Sequence, residues 1–260
     1  MKERPSFPAR LGHPANAVPT GKATRPAVSG AQRQLVKPLP QSVGLDASAI
    51  RLNMVQKLSQ QGVKDPLVLS AMGAVERHRF VDSALVSQAY EDTSLPIGLG
   101  QTISKPGVVS RMLELLREGT QGKLGRVLEI GTGCGYQAVV LSLLATEVYS
   151  IERLRGLHDK ARENLRTLRL TNVHLLFGDG MAGYAKGAPY AAIISAAGGE
   201  AVPQAWVDQL AVGGRLVAPV AAGGGQKGAQ ALVVIDKTAQ GITRTVLEAV
   251  QFVPLKSGVA

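Results

Sequence analysis

The sequence predicts an α/β fold in which a mostly parallel sheet carries helices on both faces. From residue 121 onwards, short apolar runs alternate with amphipathic helical segments, which is the pattern of consecutive strand–helix–strand units. A glycine-rich turn, Gly131–Gly135, directly follows the first apolar run. An acidic residue, Glu152, ends the second run 21 residues after Gly131, and this spacing is typical of nucleoside-binding sheets.

Residues 46–120 are predicted to form a helical part that precedes the sheet. Apolar residues recur every four positions between Ile50 and Leu58, as on one face of a helix. Asp65-Pro66 is a favourable N-cap and first position for a second helix, and Pro106 opens another. The intervening segment, Tyr90–Lys105, is rich in glycine and polar residues, and we expect it to be a loop.

Residues 121–260 are predicted to contain the sheet. Its strands are expected at Arg126–Ile130, Val148–Ile151, Val173–Phe177, Ala191–Ser195, Arg215–Pro219, Ala231–Ile235 and Thr245–Val250. Strands and helical segments alternate along this part of the chain, so the sheet should be mostly parallel. The last two runs are predicted to form an antiparallel pair.

Residues 1–45 are predicted to be a disordered, basic, proline-rich tail. They hold seven prolines, and seven Lys or Arg against one acidic residue, a net charge of +6 out of +10 for the chain. The segment also holds few large apolar residues, and their burial could not offset the conformational entropy that the chain would lose on ordering. A basic arm can bind nucleic acid, but Phe7 is the only aromatic residue among these charges. We therefore favour a solvated extension without a specific partner over a nucleic-acid arm or a transit peptide.

The composition also bears on compartment and cofactors. The single cysteine excludes an internal disulfide and favours a reducing compartment. The four histidines show no metal-ligand spacing, so no metal site is predicted. No apolar run is long enough to span a membrane, and the sequence lacks a signal-peptide pattern. We expect a cytoplasmic protein that acts as a monomer.

A nucleoside site is predicted at the carboxyl ends of the strands, where open parallel sheets bind ligands. Glycines at 131, 133 and 135 allow a sharp turn and a close approach of the backbone to a ligand. Glu152 can accept hydrogen bonds from ribose hydroxyls, and Asp179, after the third strand, can accept one from an adenine amino group. The turn departs from the dinucleotide and Walker patterns. A purely structural turn remains the alternative.

Several segments together resemble protein-L-isoaspartate O-methyltransferases. They are Val127–Gln137, Val148–Arg153, Tyr90–Asp92, Leu95–Gly98, Gly100–Ser104 and Phe252–Leu255. The segments before Ser104 are the most specific, and the resemblance covers roughly residues 46–258. It implies a Rossmann-like class I methyltransferase fold with an N-terminal helical subdomain. It also implies S-adenosyl-L-methionine as methyl donor and the carboxyl groups of isoaspartyl residues in damaged proteins as acceptors.

The resemblance also implies which residues form the site. Catalytic roles fall to Ser104 and Thr102, and donor contacts fall to Glu129, Gly131, Thr132, Gly133, Gly135, Glu152, Asp179 and Gly180. A hydroxyl before the helix that Pro106 opens can hold a carboxylate, or it can merely cap that helix. Lys105 stands where the family more often has an uncharged residue, which leaves the peptide preference open.

Two other functions are weighed against this one. The first is a methyltransferase of the same fold that acts on RNA or a small molecule, with the basic tail as an anchor. The second is a binding protein that has lost turnover. A binding protein without turnover is disfavoured, because the sequence retains the glycine turn, Glu152 and Ser104.

Overall fold

A computed structural model describes residues 42–222 and 229–260. The predicted tail lies outside these ranges up to residue 41, and its last four residues belong to helix α1, Ser42–Gln60. The helices that follow are α2 Pro66–Ala74, α3 Pro106–Arg117, α4 Tyr136–Leu144, α5 Arg155–Arg166 and α6 Gln204–Gln209. Short 3₁₀ turns lie at Arg77–Phe80, Ser83–Gln88, Gly180–Ala182 and Ala185–Gly187. Within the described ranges, no helix is both long enough and apolar enough to cross a bilayer.

Two sheets are present in the described chain. The strands are β1 Leu95–Gly98, β2 Gln101–Ile103, β3 Leu124–Ile130, β4 Ala145–Glu152, β5 Val173–Phe177, β6 Tyr190–Ser195, β7 Leu210–Ala221, β8 Gln230–Thr238 and β9 Gly241–Val250. The large sheet has the order β5-β4-β3-β6-β7-β8-β9. Its first five strands are parallel, and β8 and β9 are antiparallel. This arrangement agrees with the predicted parallel sheet and terminal antiparallel pair.

Apolar side chains cover the large sheet on both faces. Residues of α1 to α5 share one core with one face of the strands, and Trp206 and Val207 of α6 pack into a second core on the other face. The Trp206 indole N–H donates to the carbonyl of Gly180 at 2.8 Å, so its polar atom is satisfied. Burial on both faces explains why the central strands are continuous apolar runs rather than alternating ones.

The N-terminal helices are tied together at Asp65. As predicted, this residue caps α2, and its carboxylate accepts hydrogen bonds from the amides of Leu67 and Val68 at 2.8 and 3.2 Å. Its second oxygen accepts from the buried Arg117 guanidinium of α3 at 2.8 Å. One side chain therefore both starts α2 and fixes its position against α3.

The segment Tyr90–Lys105 is not the loop that composition predicts, because it contains the antiparallel pair β1 and β2. Leu95 pairs with Ile103, and both side chains are buried. Gly98, Leu99 and Gly100 all have positive φ angles at the turn. Strands of four and three residues are too short to show a recognisable periodicity. Burial of their side chains against the rest of the protein stabilises them instead.

The order of the strands places a crevice beside β3. The chain runs from β3 to β4 and β5 on one side, and then returns to β6 on the other side of β3. The connections that follow β3 and β6 therefore separate, and ligands bind at such a switch point. Gly131 follows β3, Ala196 follows β6, and Glu152 ends β4 beside them.

Candidate active site

A cavity occupies this crevice between the sheet and the β1–β2 hairpin. Seven of the ten predicted site residues line it, namely Thr102, Ser104, Gly131, Thr132, Gly133, Glu152 and Gly180. Glu129, Gly135 and Asp179 are not among its lining residues. The structure therefore places the two predicted hydroxyl residues and most of the residues predicted to contact the methyl donor around one cavity.

The glycine turn depends on backbone conformations that other residues rarely adopt. Gly131, Gly133 and Gly135 have φ angles of +88°, +56° and +90°, in the left-handed region that favours glycine. A Cβ atom on Gly135 would lie 2.6 Å from Cδ1 of Leu165. Gly135 thus allows α4 to begin against α5, and its role is close packing rather than lining the cavity.

Glu152 fixes the turn from the neighbouring strand. Its Oε2 accepts a hydrogen bond from the Gly133 amide at 2.9 Å, and its Oε1 accepts one from the Leu154 amide at 2.9 Å. The side chain is buried but still lines the cavity. Because each carboxylate oxygen has two acceptor sites, both oxygens retain capacity for the hydroxyl groups of a ligand.

Glu129 is a buried carboxyl group connected to the cavity through hydroxyls. Burial raises its pKa to about 8, although the Ser150 hydroxyl, which donates to Oε2, opposes this shift. The Ser150 hydroxyl in turn lies 2.6 Å from that of Thr132, which lines the cavity. Among the described residues, Glu129 Oε1 and Gln137 Nε2 have no hydrogen-bond partner.

These contacts provide a test of whether the site fits the predicted donor. Buried polar atoms without partners call for a ligand or ordered water. Gln137, whose Nε2 is one of these atoms, lines the cavity, and the ribose hydroxyls of S-adenosyl-L-methionine suit the spare acceptor sites of Glu152. The residues present therefore fit this donor.

Asp179 is engaged by backbone amides. Its Oδ1 accepts from the Met181 amide at 2.8 Å, and its Oδ2 accepts from the Gly258 amide at 2.7 Å. The predicted bond from an adenine amino group would therefore have to share this carboxylate with Gly258. Sequence reasoning did not foresee this contact, because 79 residues separate the partners.

The hydroxyls of Ser104 and Thr102 do not cap helix α3. The N-cap residue is Lys105, and its side chain makes no capping bond. The Asp92 carboxylate accepts a hydrogen bond from the Gly107 amide at 2.6 Å and fills that role. The capping interpretation of the two hydroxyls is therefore wrong.

Lys105 also lies close to Asp92. Its Nζ lies 4.0 Å from Oδ2 of Asp92, and Lys105 does not line the cavity. Asp92 was noticed in the sequence only as part of a resembling segment. Asp92 and Gly107 are 15 positions apart in the sequence, and no local pattern indicated that the two would meet.

Known proteins resemble this chain over most of its length. The sequence profile of protein-L-isoaspartate(D-aspartate) O-methyltransferases matches residues 50–260. The chain belongs to this family. The match spans the hairpin, the glycine turn and the segment after β9, and it confirms the methyltransferase fold, the isoaspartyl O-methyltransferase activity and the methyl donor that the sequence predicts.

Two relatives are similar to this methyltransferase over most of its length. A protein-L-isoaspartate O-methyltransferase of Methylibium petroleiphilum is 55% identical over 99% of this chain and 98% of its own length. One of Cupriavidus pinatubonensis is 57% identical over 79% of this chain and 72% of its own.

Solved structures show the same fold. A protein-L-isoaspartate O-methyltransferase has a TM-score of 0.71 at 27% identity and covers 81% of this chain and 67% of its own. A Plasmodium falciparum structure that carries the same family name, in complex with S-adenosyl-L-homocysteine, has a TM-score of 0.68 at 24% identity, over 79% of this chain and 98% of its own.

Proposed function

We propose that Ser104 and Thr102 hold the isoaspartyl carboxylate while the Gly131–Gly133 turn and Glu152 hold S-adenosyl-L-methionine, so that the methyl group passes between them. The observation that supports this division of roles is the shared cavity, which both sets of residues line. A protein or peptide substrate then approaches from the hairpin side, and the donor lies against the ends of β3 and β4.

The reaction requires little acid–base chemistry from the protein. When bound, the donor supplies a methyl group that its sulfonium already makes electrophilic. A carboxyl group with a pKa of about 4 is ionised at neutral pH, so no general base is needed. The residues act by alignment, which can contribute on the order of 7–11 kcal/mol. The methyl ester afterwards cyclises to a succinimide without further help.

The acceptor carboxylate depends on the two hydroxyls more than on helix α3. A helix N-terminus favours an anion, but here the Asp92 carboxylate already accepts the Gly107 amide. Ser104 and Thr102 carry hydroxyl donors at the cavity wall. A hydrogen bond from either one to the carboxylate would fix one oxygen and leave the other free to attack.

The remaining expectations concern the whole chain. We propose that it acts as a monomer in a reducing, cytoplasmic environment. The free thiol of its single cysteine, Cys134, supports the reducing environment. We also propose that the tail is dispensable for catalysis and that residues 46–260 carry the activity. Within residues 42–222 and 229–260, which the structure describes, every residue that lines the cavity belongs to this latter part.

Identification of the methyl acceptor tests this function. The full chain is incubated with tritiated S-adenosyl-L-methionine and an isoaspartyl peptide, its normal aspartyl counterpart, or RNA. We expect base-labile label in the isoaspartyl peptide alone, and the same result after removal of residues 1–41. Label in RNA, or none in the isoaspartyl peptide, would refute the proposed acceptor.

A further inference from the structure

The segment after β9, Val253–Ala260, runs along one wall of the cavity, and we call it the strap. Its near end pairs with the connection after β6. The Gly198 amide donates to the carbonyl of Val253 at 2.9 Å, and the Leu255 amide donates to the carbonyl of Gly198 at 2.8 Å. The side chain of Leu255 is half-buried, so the near end has both polar and apolar anchors.

The far end of the strap binds the ends of β4 and β5. The Gly258 amide donates to Asp179 at 2.7 Å, and the Gly258 carbonyl accepts from the Arg153 guanidinium at 2.8 Å. The amide of Ala260 donates to the Arg153 carbonyl at 2.8 Å, and its carbonyl accepts from the Arg155 amide at 2.7 Å. The strap therefore bridges the crevice from β6 to β5.

The strap forms a wall of the cavity and does not fill it. Its residues Val253–Lys256 line the cavity, and the Gly131–Cys134 turn and Glu152 are also lining residues. Residues 257–260 do not line the cavity, and their bonding partners Arg153 and Asp179 flank the predicted ribose and adenine contacts. A ligand in the cavity would thus lie beneath a closed strap.

The two ends of the strap are not equally stable. At the far end the contacts are hydrogen bonds, and residues 256–260 are exposed, with Val259 at 53% of its maximal exposure. Segments with exposed hydrogen bonds and little apolar burial open at low free-energy cost. The near end has an additional apolar anchor, because Leu255 packs against the core that contains Trp206.

We propose that the strap closes over the adenosine end of the bound donor, and that its far end opens to admit the donor and to release the demethylated product. This inference rests on the proposed placement of the donor. It makes Gly258 and Arg153 positioning residues, which act by holding the strap rather than by touching the reacting atoms.

The experiment weakens the far end without touching the cavity. Gly258 has a φ angle of +74°, and an added Cβ would meet no atom within 4 Å, so Gly258→Ala strains the closed strap without a clash. Gly119→Ala is the matched control, because Gly119 has a φ of +79° and equally open space, at the end of α3. Deletion of residues 257–260 removes the far end altogether.

The readout is the dissociation rate of labelled S-adenosyl-L-homocysteine after addition of an unlabelled excess. We expect the rate to rise about fivefold or more in Gly258→Ala, further in the deletion, and not at all in Gly119→Ala. We also expect slower hydrogen exchange at residues 258–260 when the ligand is bound. Unchanged dissociation, or tighter binding after deletion, would overturn the proposal, because tighter binding means that the strap competes with the ligand. Failure of the unaltered chain to bind would instead refute the donor site itself.

Discussion

The amide of Gly133 donates a 2.9 Å hydrogen bond to Oε2 of Glu152, and this contact joins the turn after β3 to the end of β4. A carboxylate thus holds the glycine turn in shape before any ligand arrives. The same carboxylate is the predicted partner of the donor ribose. The Glu152 side chain therefore both holds the glycine turn and is predicted to bind the donor, and its removal should affect both.

Replacement of Glu152 by Gln should weaken donor binding. The amide retains the shape but places an NH₂ group where an oxygen now accepts from Gly133 or Leu154. Hydrogen bonds to charged groups contribute about 1.5–3 kcal/mol, so we expect roughly 10- to 100-fold lower affinity for S-adenosyl-L-homocysteine in calorimetry. Glu147→Gln is the control, since Glu147 lies on the same strand but binds Arg126. Equal affinity of the two variants would argue against the ribose contact.

Ser104→Ala should separate catalysis from donor binding. Loss of a hydroxyl donor to the acceptor carboxylate is expected to lower kcat roughly 10- to 100-fold, while the Kd for the donor product changes little. Ser110→Ala serves as a control in the neighbouring helix α3, because the Ser110 hydroxyl donates to the carbonyl of Gly107 and Ser110 does not line the cavity. A parallel loss of donor affinity in Ser104→Ala would contradict the role assigned to this residue.

Glu129 should make the ligand-free protein less stable at alkaline pH. Burial raises its pKa from 4.5 to about 8, so folding favours the protonated form. That stabilisation is complete below pH 4.5 and is lost as the pH rises through 8. Burial lowers the pKa of His78, so this histidine makes the folded protein more stable as the pH rises. That effect is complete at about pH 6.5, the ordinary pKa of a histidine, and does not overlap with the alkaline range.

Thermal unfolding between pH 6.5 and 9 measures this loss. We expect the Tm of the ligand-free protein to fall between pH 6.5 and about 8 and to level off above pH 8, where Glu129 is ionised in both the folded and the unfolded protein. The fall should be smaller in Glu129→Gln, whose amide does not titrate. Parallel pH profiles for the two proteins would show that Glu129 is not the group responsible.

Asp92→Ala should destabilise the protein by about 1 kcal/mol, the usual effect of losing a helix cap. The Gly107 amide would lose its acceptor and Lys105 its ionic partner. Urea unfolding measures the change, and Asp92→Asn, which keeps an oxygen acceptor, should recover most of it. The neighbouring exposed Glu91 provides the control variant Glu91→Ala. If Asp92→Ala were no less stable than this control, the capping role would be wrong.

Local sequence patterns predicted the sheet well, because the buried strands are short apolar runs that alternate with helical segments such as the amphipathic α5. Asp65-Pro66 and Pro106 marked helix starts through capping chemistry that acts within a few residues. The glycine turn and Glu152 were recognisable because their spacing follows from one strand–helix–strand unit.

The features that were missed depend on contacts between distant parts of the chain. The β1–β2 hairpin is stabilised by burial of Leu95 and Ile103 rather than by periodicity. Asp92 meets Gly107 from the other side of the hairpin in the chain, and Gly258, which follows β9, meets Asp179 at the end of β5. None of these pairings has a signature in either partner's local sequence.

The central claim is that the hydroxyls of Ser104 and Thr102 hold the substrate carboxylate in front of the donor. A crystal structure of the protein with S-adenosyl-L-homocysteine and an isoaspartyl peptide tests it most directly. We predict that one carboxylate oxygen lies within hydrogen-bonding distance of a hydroxyl of Ser104 or Thr102, with the other oxygen facing the ligand sulfur. A carboxylate bound elsewhere, with both hydroxyls pointing away from it, would contradict the account.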